Sequence, residues 1–94
     1  MSILDYNNFY LVGIKGVAMT SIAQILMDAK KNISGSDVKE NFVTEGILKK
    51  LNANISIGFD SKIPEDIDCV IYTAAHKGEF NPQVITAQNR GIKT

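Results

Sequence analysis

The sequence predicts an α/β fold, a parallel sheet flanked by helices. Short apolar runs alternate with amphipathic stretches along the whole chain, the pattern expected where strands and covering helices follow one another. The first apolar run, Phe9, Tyr10, Leu11 and Val12, is continuous, as in a strand covered on both faces. It stops at Gly13 and gives way to a helical pattern from Ala18, so strand, glycine turn and helix follow in that order. With 94 residues, 45% of them apolar, and only 7 Gly and 2 Pro, residues 1–94 have room for one compact soluble domain with a single hydrophobic core. The chain is short for a complete two-substrate active site.

Each element can be justified in turn. Met19, Ile22, Ala23 and Leu26 recur at helical spacing while Thr20, Gln24 and Asp28 take other faces, which predicts an amphipathic helix from Ala18 to about Lys30. Ile33, Ser34, Gly35 and Ser36 form a weaker strand between two helical patterns and end in an acid, Asp37. The next helix is expected to start near Asn41, which can cap it, and to carry Val43, Ile47, Leu48 and Leu51 on one face, with Asn52 in a left-handed terminating position. Ile55, Ser56 and Ile57 make a third strand, and Gly58, Phe59, Asp60 and Ser61 turn the chain. Pro64, Glu65 and Asp66 allow one helical turn at most before a fourth strand over residues 68–74.

The last helix has the clearest punctuation: Asn81 as cap, Pro82 at the first helical position, and Gly91 just past the end. Ile92 opens a fifth strand that the chain follows only to Thr94, so the sequence reads as a domain trimmed from a longer protein. Together these elements describe a Rossmann-like, doubly wound parallel sheet of five strands in the order 3-2-1-4-5, with right-handed crossovers.

Ten basic residues balance ten acidic ones, so no overall field draws the chain to nucleic acid or to an anionic membrane, and any anion site must be local. The single cysteine, Cys69, sits in an apolar run; it has no partner for an internal disulfide or a zinc pair and reads as buried packing in a reducing compartment. No signal-peptide pattern or membrane-length apolar run occurs, and a cytoplasmic location is expected. His76, the only histidine, has neither a recognisable Ser or Cys nucleophile beside it nor a second His for a metal, so no catalytic residue and no metal ligand is assigned.

Gly13, Ile14, Lys15, Gly16, Val17 and Ala18 lie between a buried strand and an amphipathic helix, the context that a phosphate-binding turn requires. Gly13 would permit the tight turn, Gly16 would let backbone N–H groups approach an anion, and the small Ala18 would let helix and strand pack closely. Against the dinucleotide pattern G-x-G-x-x-G the chain reads G-x-K-x-x-A, which counts against a nicotinamide dinucleotide. Asp37 falls 24 positions after Gly13, near the spacing at which an acid accepts ribose hydroxyls. Bland alternatives stay open: a turn that serves only topology, a Ser36 or Asp37 that only turns the chain, and a Lys15 that is either a charge beside phosphate or a solvated loop lysine. In the expected strand order the crevice opens between the first and fourth strands, where Ala74, Ala75 and His76 would face the turn. His76 is read as a ligand contact or as the holder of a simple loop hydrogen bond.

These residues resemble the amino-terminal domain of the Mur ligases. That family's turn, G-I-G-G-x-G-M-S, aligns with Gly13, Ile14, Lys15, Gly16, Val17, Ala18, Met19 and Thr20, with Lys15 and Ala18 in place of glycines and Thr20 in place of Ser. Ser34, Gly35, Ser36 and Asp37 follow the pattern, as do Thr44 and Glu45, then Gly58, Phe59 and Asp60, then Ala74 and Ala75, and lastly Asn81, Pro82, Arg90, Gly91 and Ile92. The resemblance implies that this region binds the UDP part of a UDP-sugar, with residues 13–20, Ser36, Asp37, Ala74, Ala75 and His76 around it. It further implies a longer enzyme with a central ATPase and a carboxy-terminal domain, which uses ATP and Mg²⁺ to join L-alanine to UDP-N-acetylmuramate in peptidoglycan synthesis. Sister ligases that add later residues share the domain. The chain contains no Gly-Lys dipeptide, so it has no P-loop, and alone it is expected to be inactive and to hold no cofactor. Two other classes remain: an NAD-type fragment of an oxidoreductase, and a nucleotide-sensing module without chemistry.

Overall fold

The computed structural model describes residues 5–39, 44–51, 53–59 and 62–94. Strand β1 (Asn8–Val12) lies at the centre, between β2 (Asn32–Asp37) and β4 (Cys69–Tyr72), and β3 (Asn54–Ile57) extends the sheet beyond β2. The order is β3-β2-β1-β4 and every pairing is parallel, with Leu11 opposite Gly35 on one side and Ile71 on the other. Four residues of β1, Phe9 to Val12, are essentially inaccessible, as the continuous apolar run requires.

The pleat of β1 divides the interior. Phe9 and Leu11 join Met19, Ala23 and Leu26 of α1 (Val17–Asp28) and Leu48 of α2 (Glu45–Lys50) on one face. Tyr10 and Val12 join Ile63, Ile67 and Val70, together with Val84 and Ala87 of α3 (Pro82–Asn89), on the other. The sheet is therefore covered on both faces, and the single core expected from length is two layers that meet at β1.

The expected fifth strand is corrected: the described sheet has four strands. The segment beyond α3 reaches β4 through one isolated parallel bridge, Cys69 with Lys93, backed by the Val70 N–H donating to the Lys93 carbonyl at 2.8 Å. One bridge does not make a ladder. β4 is also shorter than residues 68–74, because beyond Tyr72 the chain bends toward a 3-10 turn, Gly78–Phe80, that sequence periodicity did not announce.

Helix α1 stops at Asp28, two residues before the expected end. Lys30 takes a left-handed φ of 63°, and its N–H bonds to the Met27 carbonyl while that of Lys31 bonds to Leu26, the Schellman closure made without glycine. Helix α2 follows Thr44. The expected cap Asn41, its companion Val43 and the terminator Asn52 lie outside the described residues, as do Asp60 and Ser61 of the turn after β3. Ile47 was expected on the buried face but is 39% exposed, because so short a helix presents only Leu48 fully to the sheet. At residues 64–67 there is a turn and no helix, closed by the Ile67 N–H on the Pro64 carbonyl. Helix α3 matches its punctuation: the Asn81 side chain accepts from the Gln83 N–H at 2.9 Å, Pro82 opens the helix, and Gly91 ends it at φ 73°.

Candidate functional site

The carboxyl-terminal ends of the four parallel strands lie along one edge of the sheet, where the glycine turn leaves β1 and where open α/β sheets hold ligands. Gly13 needs its identity there: its φ is +85°, and a Cβ would overlap the Thr73 side chain at the end of β4. Gly16 does not: its φ is −61°, and a Cβ would meet nothing closer than the Gly13 carbonyl at 3.5 Å.

The inner side of the turn is fully committed. The Ser36 carbonyl accepts the N–H groups of Gly13 at 2.8 Å and Ile14 at 3.1 Å, and Gly16 N–H returns to the Gly13 carbonyl. Asp37, 2% exposed, accepts the Lys15 N–H on Oδ2 at 2.8 Å and the Val38 N–H on Oδ1 at 2.7 Å. Two hydroxyls tie down the carbonyls: Thr20 donates to Ile14 at 3.0 Å and Thr44 to Lys15 at 2.6 Å. The Lys15 side chain lies under the loop with Nζ donating to the Val38 carbonyl, so it is neither a solvated lysine nor a charge turned outward.

What remains on the outer side is the start of α1. Gly16 caps the helix without a side-chain bond, and Gly16, Val17 and Ala18 are exposed. Among the described residues the N–H groups of Val17, Ala18 and Met19 have no acceptor, and they lie at the positive end of the helix dipole. The N–H donors available to an anion are thus those of residues 17–19, and not those of residues 13–16.

The remaining expected site residues separate into two groups. Ser36 is buried and its hydroxyl donates to Gln83 Oε1, whose Nε2 donates to the Tyr10 hydroxyl at 3.1 Å; that side chain points into the α3 layer, away from the crevice. Met19 and Thr20 are buried. Ala74 and Ala75 are exposed at the rim, and His76 leans over the crevice with Nε2 3.4 Å from Asp37 Oδ1. Its ring packs on Phe59 at a centroid distance of 4.9 Å, and both line a pocket of about 300 Å³ with Lys77, Asn81 and Pro82. A wider hollow of about 770 Å³ lies beside Lys62 and Thr86, but there the Arg90 guanidinium is spent on the carbonyls of Ile63, Pro64 and Glu65. Among the described residues no group of three His, Cys, Asp or Glu side chains could hold a metal, and no helix is long and apolar enough to cross a membrane.

A sequence profile described as "Mur ligase family, catalytic domain" matches residues 8–94. The chain belongs to the Mur ligase family. Its similarity to curated members is substantial: it is 37% identical, over its whole length, to the UDP-N-acetylmuramate–L-alanine ligase of Acetivibrio thermocellus, and 42% identical over 90% of its length to that of Alkaliphilus metalliredigens. It spans 20% and 18% of those two proteins. Among solved structures, the UDP-N-acetylmuramate-alanine ligase of Thermotoga maritima superposes with a TM-score of 0.78 at 26% identity, covering 92% of this chain and 20% of that one.

Within this Mur ligase chain, several positions that carried the resemblance turn out to hold the turn from beneath. Thr44 is the clearest case: the sequence placed it only in a helix, yet its buried hydroxyl holds the Lys15 carbonyl. Gln83 and Val38 were not anticipated either. A buried glutamine beside a helix cap was the available signal for Gln83, whereas Val38 acts through its backbone and leaves none.

Proposed function

We propose that this chain holds the UDP moiety of UDP-N-acetylmuramate for a longer cytoplasmic enzyme that adds L-alanine in peptidoglycan synthesis. Family membership supports the class, and the names of the relatives support the substrate. The observation that carries the reading is the uncapped start of α1: three N–H groups that have no acceptor among the described residues open at the crevice, suited to a diphosphate. Ala74, Ala75 and His76 border the same crevice from β4, and Asp37 serves it from below by shaping the turn.

ATP and Mg²⁺ belong to the full reaction, but these residues do not fit them. The chain has no P-loop lysine after a glycine, and its described residues offer no metal-ligating cluster. Both would be held by a central ATPase domain, with a carboxy-terminal domain for the amino acid.

Calorimetry of the chain with UDP-N-acetylmuramate, UDP and NAD tests the reading. UDP ligands should bind and NAD should not compete. Gly16→Val, whose φ any residue accepts, should fold and should weaken UDP by about 1–2 kcal/mol by covering the helix N-terminus. Tight NAD binding without UDP competition would replace the reading with an oxidoreductase fragment.

A further inference from the structure

From the loop after β4, one imidazole reaches the segments that end β2 and follow β3, and it stands beside the turn that leaves β1. His76 sits in the loop after β4; its Nε2 is 3.4 Å from Asp37 Oδ1 at the end of β2, and its ring packs on Phe59, beyond β3. A Cβ on Gly13, after β1, would stand 3.6 Å from its Cδ2. The carboxylate relays this contact, because its other oxygen accepts the Lys15 N–H inside the turn. The backbone that delivers the ring is costly: His76, Lys77 and Gly78 have φ of 54°, 73° and 51°, three successive left-handed residues of which two are not glycine. The Asn81 side chain holds that arrangement by donating to the His76 carbonyl at 3.0 Å.

We propose that His76 is a positioning residue that locks the turn of residues 13–16 through Asp37, so that the loop after β4 and the turn after β1 behave as one piece across the crevice. Among the described residues Asp37 is the titratable group that faces the ring. Lys15 Nζ is turned to the Val38 carbonyl, Lys77 is exposed on the same loop, and Phe59, Asn81 and Gly13 bring no charge. Only the expected effect on UDP affinity rests on the proposed function; the coupling itself does not.

The test has a ligand-free arm and a ligand arm. In the ligand-free arm, NMR follows the Lys15 amide proton and the His76 ring protons through a pH titration. The amide should shift with the midpoint of the ring, and the shift should vanish in His76→Gln, which donates to Asp37 but does not titrate. In the ligand arm, His76→Ala and His76→Phe should lose about fivefold in UDP affinity, while His76→Gln should recover to within about twofold of wild type. A Lys15 amide that stays flat while His76 titrates overturns the proposal, whether or not UDP binds. So does a folded His76→Gln as weak as His76→Ala. If the wild-type chain binds no UDP, the functional reading fails, and the amide titration still decides the coupling.

Discussion

Asp37 carries two N–H partners on a nearly inaccessible carboxylate, one from Lys15 and one from its own neighbour Val38. Asparagine at this position keeps the shape but replaces one accepting oxygen with an NH₂ group, which sets donor against donor. Asp37→Asn should therefore lower stability by about 1–3 kcal/mol in urea unfolding, as expected for a buried hydrogen bond to a charged group. A ribose contact alone would leave the unfolding midpoint where it was. Cys69 also answers to burial: burial first, then the charge of Asp68, push its thiol above the ordinary range. In practice little thiolate forms in the folded chain near neutrality, consistent with its role as packing.

At the scale of elements, the informative comparison is between two helix ends. Helices α1 and α3 close with the same pair of backbone bonds, but α3 has Gly91 at the left-handed position while α1 has Lys30. Lys30→Gly should stabilise the chain by about 0.5–1 kcal/mol, since it removes the Cβ penalty at a residue whose side chain is exposed; thermal unfolding would register it. The same contrast explains what could be read from sequence. Asn81, Pro82 and Gly91 state the limits of α3 in side-chain chemistry, whereas the end of α1 is fixed by backbone geometry on a residue type that gives no sign of it. β1 was legible because its burial on both faces demands an uninterrupted apolar run. Gly35 was legible as a strand residue and as part of the family pattern but not in its physical reason: its lack of a Cβ is required by the Leu11 carbonyl and by Ile14 at 3.0 Å. At the site the glycine turn could be located but its polarity could not. Whether an N–H points inward or outward depends on Ser36, Asp37 and Thr44, which are remote in sequence.

The molecule as a whole is organised around β1, which is paired on both edges and buried on both faces. Its amides should be the slowest to exchange with deuterium, at the rate of global unfolding, while those of β3 and α2 should exchange through smaller openings. Equal protection in β1 and β3 would contradict that ranking. The two cores cannot then melt independently, because the side chains of β1 alternate between them. A second consequence concerns the turn that leaves this strand. Its inward N–H groups, and the carbonyls of Ile14 and Lys15, are bonded within the protein, and it emerges from the central strand of the sheet. The entropy of ordering that loop is thus lost during folding and is not charged again when an anion arrives. The site is preorganised, and association there should show a small conformational-entropy penalty.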